Sequence, residues 1–327
     1  MKRKSIINQL KLAYSPLSNY EFTILKKDKI IERIIDEASL YVIAQRAVIS
    51  FENLIPLEDE FCIKFEIHQR GNPEKLKCKL PLNQVAIGSE NLNNIGIAFN
   101  FIDKSQVNTE LPHGNLHAFS LVELRRGKKE FLVWFSPEKL LQNWWNGFID
   151  CEIEGDFKAF LNYKIHYVGK ATKQSIFKRL TGHSTLQDIL SLECPITYKD
   201  LPTQEIVILC FGFSDNLQVQ SFGDNSSEKE MVDAVLCKDI PEKEFIFLDA
   251  EKALIKAMQP SYNKEMFNNY PISKDGLYKE DYNLISYTFI DPITLKYEYG
   301  DIKGGLSRVG GDTITVKNNN SFELIKH

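Results

Sequence analysis

Apolar and polar residues alternate along this chain in several distinct rhythms. Between residues 29 and 37, Ile30, Ile31, Ile34 and Ile35 recur at helical spacing and predict one amphipathic helix. Residues 60–67 and 76–80 then alternate as strands do. Residues 118–135 predict a hairpin that turns at Arg126-Gly127-Lys128. Ser136-Pro137-Glu138 has the form of a helix start, with proline at the first helical position. Leu140, Leu141, Trp144 and Trp145 give that helix an apolar face, and Gly147 can end it. Paired tryptophans can stack on bases, but beside leucines they fit a core or an interface better.

The pattern changes near residues 148–155. A strand over 163–168 precedes helices over 173–180 and 185–192, the second ended by Pro195. The apolar run 204–213 suits the interior of a sheet. Residues 214–243 are polar, with Gly223-Asp224-Asn225-Ser226-Ser227, and are expected to form an insertion. A helix over about 249–258 stops at Pro260, and strands follow near 284–290, 294–299 and 313–316. These elements divide the chain into a β-rich domain over 1–150, a second domain over 151–270 and a β-rich element over 271–327. There is no internal repeat.

Composition narrows the function classes. A net charge of −4 and a pI near 6.0 exclude a protein coated in positive charge. Locally the balance differs, since residues 157–187 hold Lys158, Lys164, Lys170, Lys173, Lys178 and Arg179 and no Asp or Glu. Six scattered cysteines without a C-x-x-C pair read as reduced and buried rather than zinc-binding. The basic start, Met1-Lys2-Arg3-Lys4, leads into Asn8, Gln9 and Lys11 rather than an apolar stretch, so the chain is expected to stay in the cytoplasm. No run is long and apolar enough for a membrane span.

Candidate chemistry falls in the basic segment and beyond it. Tyr167-Val168-Gly169-Lys170 closes a strand, Arg179 and His183 stand four apart, and Glu251 is followed by Leu254-Ile255, Pro260 and Asn263. A carboxylate such as Glu251 can hold one Mg²⁺ that keeps several waters and takes phosphate oxygens as ligands. An arginine offers a planar fork to a phosphate, and a tyrosine or imidazole can move a proton from attacking water. The glycine-rich stretch from Gly300 to Gly311 lacks a following G-K-[ST] and reads as turns. His113 and His117 are flanked by Pro112 and Gly114, which oppose a shared helix face.

Taken in order, these residues resemble the GIY-YIG nuclease family. Tyr167-Val168-Gly169 looks like its second tripeptide, Arg179 and His183 like its helix arginine and following histidine, and Glu251 with Leu254-Ile255, Pro260 and Asn263 like its metal-binding glutamate and closing motif. The resemblance implies an α+β fold whose GIY-YIG-like domain is a small three-stranded antiparallel sheet flanked by helices. It also implies a metal-dependent endonuclease that uses Mg²⁺, or another divalent cation such as Mn²⁺, on double-stranded DNA, in restriction or phage defence. Tyr167, Arg179, His183, Glu251 and Tyr163 are the implied catalytic residues, Glu251 the metal ligand, and Lys170, Lys173 and Asn263 the nucleic-acid contacts. The first tripeptide is not legible: Gly155-Asp156-Phe157 lies at nearly the right distance but supplies no hydroxyl. Tyr163, expected on the face of Tyr167, and His166, expected on the other, are the alternatives for the proton acceptor. The rival functions are a degenerate module that binds nucleic acid without cutting it, and a protein-interaction adaptor.

Overall fold

The computed structural model describes residues 4–85, 94–102, 107, 110–125, 127–193, 204–238, 240–280, 282–305 and 310–327. The chain opens with strands β1 (Lys4–Leu12) and β2 (Leu17–Ser18), helices α1 (Asn19–Leu25) and α2 (Lys29–Asp36), and strand β3 (Leu40–Ala47). It then builds β4 (Ile49–Leu57), β5 (Cys62–Gln69), β6 (Lys75–Pro81), the short α3 (Leu82–Val85), β7 (Ile95–Phe101), β8 (Leu116–Arg125), β9 (Lys128–Phe135), α4 (Pro137–Trp145) and β10 (Glu152–Glu154). After these come β11 (Asn162–Lys170), α5 (Ile176–Thr181), α6 (Ser184–Leu192), β12 (Gln204–Gln220), α7 (Glu228–Val235) and α8 (Lys243–Met258). The last strands are β13 (Tyr282–Phe289), β14 (Thr294–Tyr297), β15 (Gly300–Lys303), β16 (Thr313–Lys317) and β17 (Ser321–Ile325).

Two compact units result, and their limits differ from the expected domains. Unit 1 gathers residues 1–46, 162–196 and 206–327, and unit 2 holds 47–161 with 197–205. The first four elements and β3 therefore belong with β11 and everything from β13 onward, not with a separate amino-terminal domain. Nor is 271–327 an appendage, because β13 to β17 complete the sheet of unit 1. That sheet has ten strands in the order β15-β14-β11-β3-β12-β1-β13-β16-β17, with β2 added against β12, and it curves into a half-barrel. The expected three-stranded α+β domain is thus corrected: strands make up 43% of the described residues and helices 25%. Local periodicity reports strands one at a time and carries no information about which distant strands join them.

Burial shows where the core of unit 1 lies. β3 is buried almost throughout, and Ile206 to Phe211 of β12 is buried without a break, as expected of central strands covered on both faces. β1 alternates instead, sending Ile6, Leu10 and Leu12 inward. α2 starts at Asp28, whose carboxylate accepts from the N–H groups of Ile30 and Ile31 at 2.8 and 3.3 Å, and buries Ile31 and Ile35. Unit 2 is a seven-stranded sheet in the order β10-β6-β5-β4-β8-β7, with β9 paired to β8. Phe51, Phe65, Phe119 and Phe135 form its ring cluster, Phe51 lying 5.2 Å from Phe65 and 5.0 Å from Phe119.

Several local expectations hold and others move. β8 and β9 form the predicted hairpin, and Arg126 of its turn lies outside the described residues. Ser136 caps α4, with Pro137 in its first turn. The expected insertion at 214–243 is smaller, because β12 runs on to Gln220 and α8 begins at Lys243. Glu251 consequently sits in the middle of α8 rather than in its first turn. No helix among the described residues is long and apolar enough to cross a membrane.

Candidate functional site

A bulge in β11 decides which side chains meet. β11 pairs antiparallel with β3, Lys164 facing Gln45, Ile165 facing Ala44, and Tyr167 facing Ile43, so His166 is an extra residue. Cross-strand neighbours share a face, and Tyr41, Ile43 and Gln45 share one face of β3. Lys164, Tyr167 and Gly169 therefore lie on that face, and Tyr163 lies on the other. The expectation that Tyr163 joins Tyr167 fails because the inserted residue reverses the alternation. His166 lies instead on the Gln45 side, its Nε2 3.1 Å from Gln45 Oε1, with its ring 5.9 Å from that of Tyr262. Burial pushes the His166 imidazole pKa down, although Glu193 pulls it up.

The partner of Tyr167 is Tyr41, which the sequence reading did not single out. Tyr41 pairs with Gly169, and only a residue without a side chain fits there: a Cβ on Gly169 would come within 2.7 Å of the Tyr41 ring and 2.6 Å of Tyr167. The rings of Tyr41 and Tyr167 lie 6.1 Å apart. His183 closes the group, its ring 5.2 Å from Tyr167 and its Nε2 3.2 Å from Tyr41 Oη.

Arg179 and His183 reach this cluster from two helices, not from one face of a single helix. α5 ends at Thr181, and His183 is the N-cap of α6. His183 Nδ1 accepts from the Leu186 N–H at 3.3 Å, which places the neutral ring's proton on Nε2. Nε2 then donates to Tyr41 Oη, and the Tyr41 hydroxyl donates in turn to Tyr167, a bond that pulls the Tyr41 pKa up and that of Tyr167 down. Burial first, and then the charge of Arg179, lowers the His183 pKa and keeps the ring neutral. Burial raises the Tyr41 pKa well above the usual phenol, and a hydrogen bond from Arg179 offsets part of that rise. Arg179 itself is exposed.

Glu251 approaches from α8. Its carboxylate is nearly buried and accepts from Lys170 Nζ at 2.5 Å. Burial raises its pKa, while the bond and the charge of Lys170 lower it. The same carboxylate is near enough to Tyr167 to raise the phenol's pKa, after burial, which is the larger cause. Next along the helix, Lys252 is held by Ser273, by the Asp275 carboxylate and, at 2.9 Å, by the Asp275 carbonyl.

The closing motif acts on the strand rather than on solvent. Gln259 ends α8 in the left-handed region, at φ 47°, and Pro260 prevents continuation. The turn brings the Tyr262 N–H to His166 O at 3.1 Å. Asn263 Oδ1 accepts from the Val168 N–H at 2.9 Å, and its Nδ2 donates to Val168 O at 2.8 Å. Asn263 thus substitutes for a neighbouring strand beside the Tyr-Val-Gly segment, and its amide is not turned toward a nucleic acid as expected. Lys173 is exposed before α5, with no ion pair among the described residues, and Lys170 is committed to Glu251.

Among the described residues, no three His, Cys, Asp or Glu side chains converge as a metal cage. Glu251 nevertheless suits a Mg²⁺ that keeps several waters and takes one or two carboxylates. It already binds a cationic group, and the Asp275 carboxylate, itself held by Lys252, lies within electrostatic range. No family model matches the chain, and no curated protein or solved structure matches it either.

Proposed function

We propose that unit 1 hydrolyses nucleic-acid phosphodiester bonds with a divalent cation at Glu251, on double-stranded DNA by its resemblance to GIY-YIG nucleases. The observation that carries this reading is the convergence of Tyr41, Tyr167, Arg179 and His183, from two strands and two helices, with Glu251 within electrostatic reach of Tyr167. A Mg²⁺ or Mn²⁺ bound there would polarise a phosphate oxygen and lower the pKa of its water. Arg179 presents its exposed fork to the phosphate and stabilises the charge that grows in the transition state. Tyr41 takes the role that the illegible first tripeptide leaves open. Its hydroxyl, fixed by the His183 N–H, orients the attacking water, whose proton passes to solvent. His183 holds Tyr41 and, as the neutral tautomer, leaves the positive charge at the site to Arg179.

Purified protein incubated with supercoiled plasmid in Mg²⁺, in Mn²⁺ and in chelator tests this directly. Metal-dependent nicking that is lost in Tyr41→Phe is the expected result. Retention of plasmid without nicking under every cation would favour the module that binds nucleic acid without cutting it.

A further inference from the structure

The Lys170 ammonium sits against the carboxylate that the proposed metal would use. Lys170 Nζ lies 2.5 Å from Glu251 Oε2, with side chains 29% and 11% exposed. A divalent cation held by this carboxylate would lie close to the Lys170 ammonium, so the two positive charges would compete for Glu251. Lys252 does not share this role, because Ser273 and Asp275 hold its ammonium. Lys170 has a different second option. It follows Gly169 at the open end of β11, its backbone fixed opposite Leu40, and its four-carbon stem can carry the ammonium to another anion. Arginine, with its planar two-toothed grip on a carboxylate, would exchange less readily.

We propose that Lys170 sets the order of binding. It keeps Glu251 closed to free metal and releases it when a nucleic-acid phosphate offers the ammonium another partner. Metal and nucleic acid then bind with positive coupling, each raising the affinity of the other by the same factor. Free divalent ions alone leave the site closed, so water is not activated without substrate. The inference rests on the metal reading of Glu251 given above.

The test is Mn²⁺ binding to the full chain, followed by the electron paramagnetic resonance of the free ion. It is measured alone and with a fully phosphorothioate mixed-sequence duplex that resists cleavage. Glu251→Gln supplies the background, including Mn²⁺ held by the duplex itself. Lys170→Met keeps the stem without the charge, and Lys170→Gln serves if the methionine variant does not fold. Lys170→Met is expected to bind Mn²⁺ more tightly than wild type by about 5–150-fold, the usual range of such couplings. The duplex should raise wild-type affinity by a similar factor and leave the variant unchanged. Glu251-dependent binding that is the same in wild type and Lys170→Met would overturn this proposal and leave the metal reading standing. No Glu251-dependent binding in either protein would overturn both.

Discussion

Two carboxylates stand two residues apart on α8, and their surroundings differ. Asp249 is fully enclosed: Tyr270 and Tyr287 donate to its Oδ2 at 2.6 and 2.8 Å, and the Leu277 N–H donates to Oδ1 at 3.1 Å. Gly276, at φ +81°, lies so close that an added Cβ would sit 3.0 Å from Oδ1. Every donor to Asp249 is neutral and locked in the core. Glu251 instead has an ammonium that reaches toward solvent, with Tyr167 and Asp275 within electrostatic range. Burial raises the pKa of both carboxylates, so depth alone does not tell a brace from a site. What separates them is whether the partner can be exchanged. Asp249 ties α8 to β13 and to the segment after Pro271, whereas Glu251 faces a single ammonium on a flexible, partly exposed side chain.

The comparison can be broken in several ways, and the largest expected effect lies on the Glu251 side. Arg179→Lys keeps the charge and loses the planar fork, and should slow cleavage by roughly 10²–10³ with folding unaffected. Near wild-type cutting by this variant would remove Arg179 from the site.

Asp249→Ala should act on stability alone. It leaves two buried hydroxyls and one N–H without their acceptor, a loss on the order of 3–5 kcal/mol. Denaturant unfolding should show this, while cleavage per folded molecule stays within a few-fold of wild type. Wild-type stability would mean that Asp249 does not brace the sheet. A fully folded variant that has lost cleavage would move the boundary of the site.

A smaller effect concerns Asp291, in the turn between β13 and β14. Burial pushes its carboxyl up to about 6, against hydrogen bonding from the Leu12 N–H at 2.6 Å and the charge of Lys11. The folded-state value is higher than the unfolded one, so the folded chain binds the proton more tightly. That contribution is full below about pH 4 and is lost as pH rises through 6. Wild type should therefore lose roughly 2–3 kcal/mol relative to Asp291→Asn between pH 4 and 7. Parallel stability curves for the two proteins would contradict the assignment.

The parts of this arrangement that sequence could reveal were local ones. Ser136-Pro137 marked α4, Arg126-Gly127-Lys128 marked the hairpin, and the apolar run 204–213 marked a central strand, each through chemistry confined to a few neighbouring residues. Tyr167, Arg179, His183 and Glu251 were legible as types in order. Tyr41 was not, because its strand is separated from β11 by the long first segment of unit 2, up to Leu161, and a search just upstream of Tyr167 passes over it. The facing of Tyr163 was misread because a bulge adds one residue and leaves no mark in the apolar pattern. Asn263 was legible as part of a motif, but its grip on the Val168 backbone depends on the turn that Gln259 and Pro260 make. The ten-stranded sheet depended on pairings such as β1 with β13, which join opposite ends of the chain.

The central claim is that Glu251 holds the metal at a site that cuts nucleic acid, and one paired measurement tests it most directly. Gel-shift and cleavage are followed on wild type and Glu251→Gln, in Mg²⁺ and in chelator. The substitution keeps side-chain size and helix preference, so the fold should survive. The account predicts that wild type cuts only with metal, and that Glu251→Gln binds nucleic acid at least as tightly and cuts at no Mg²⁺ concentration. Cleavage retained by Glu251→Gln would contradict it.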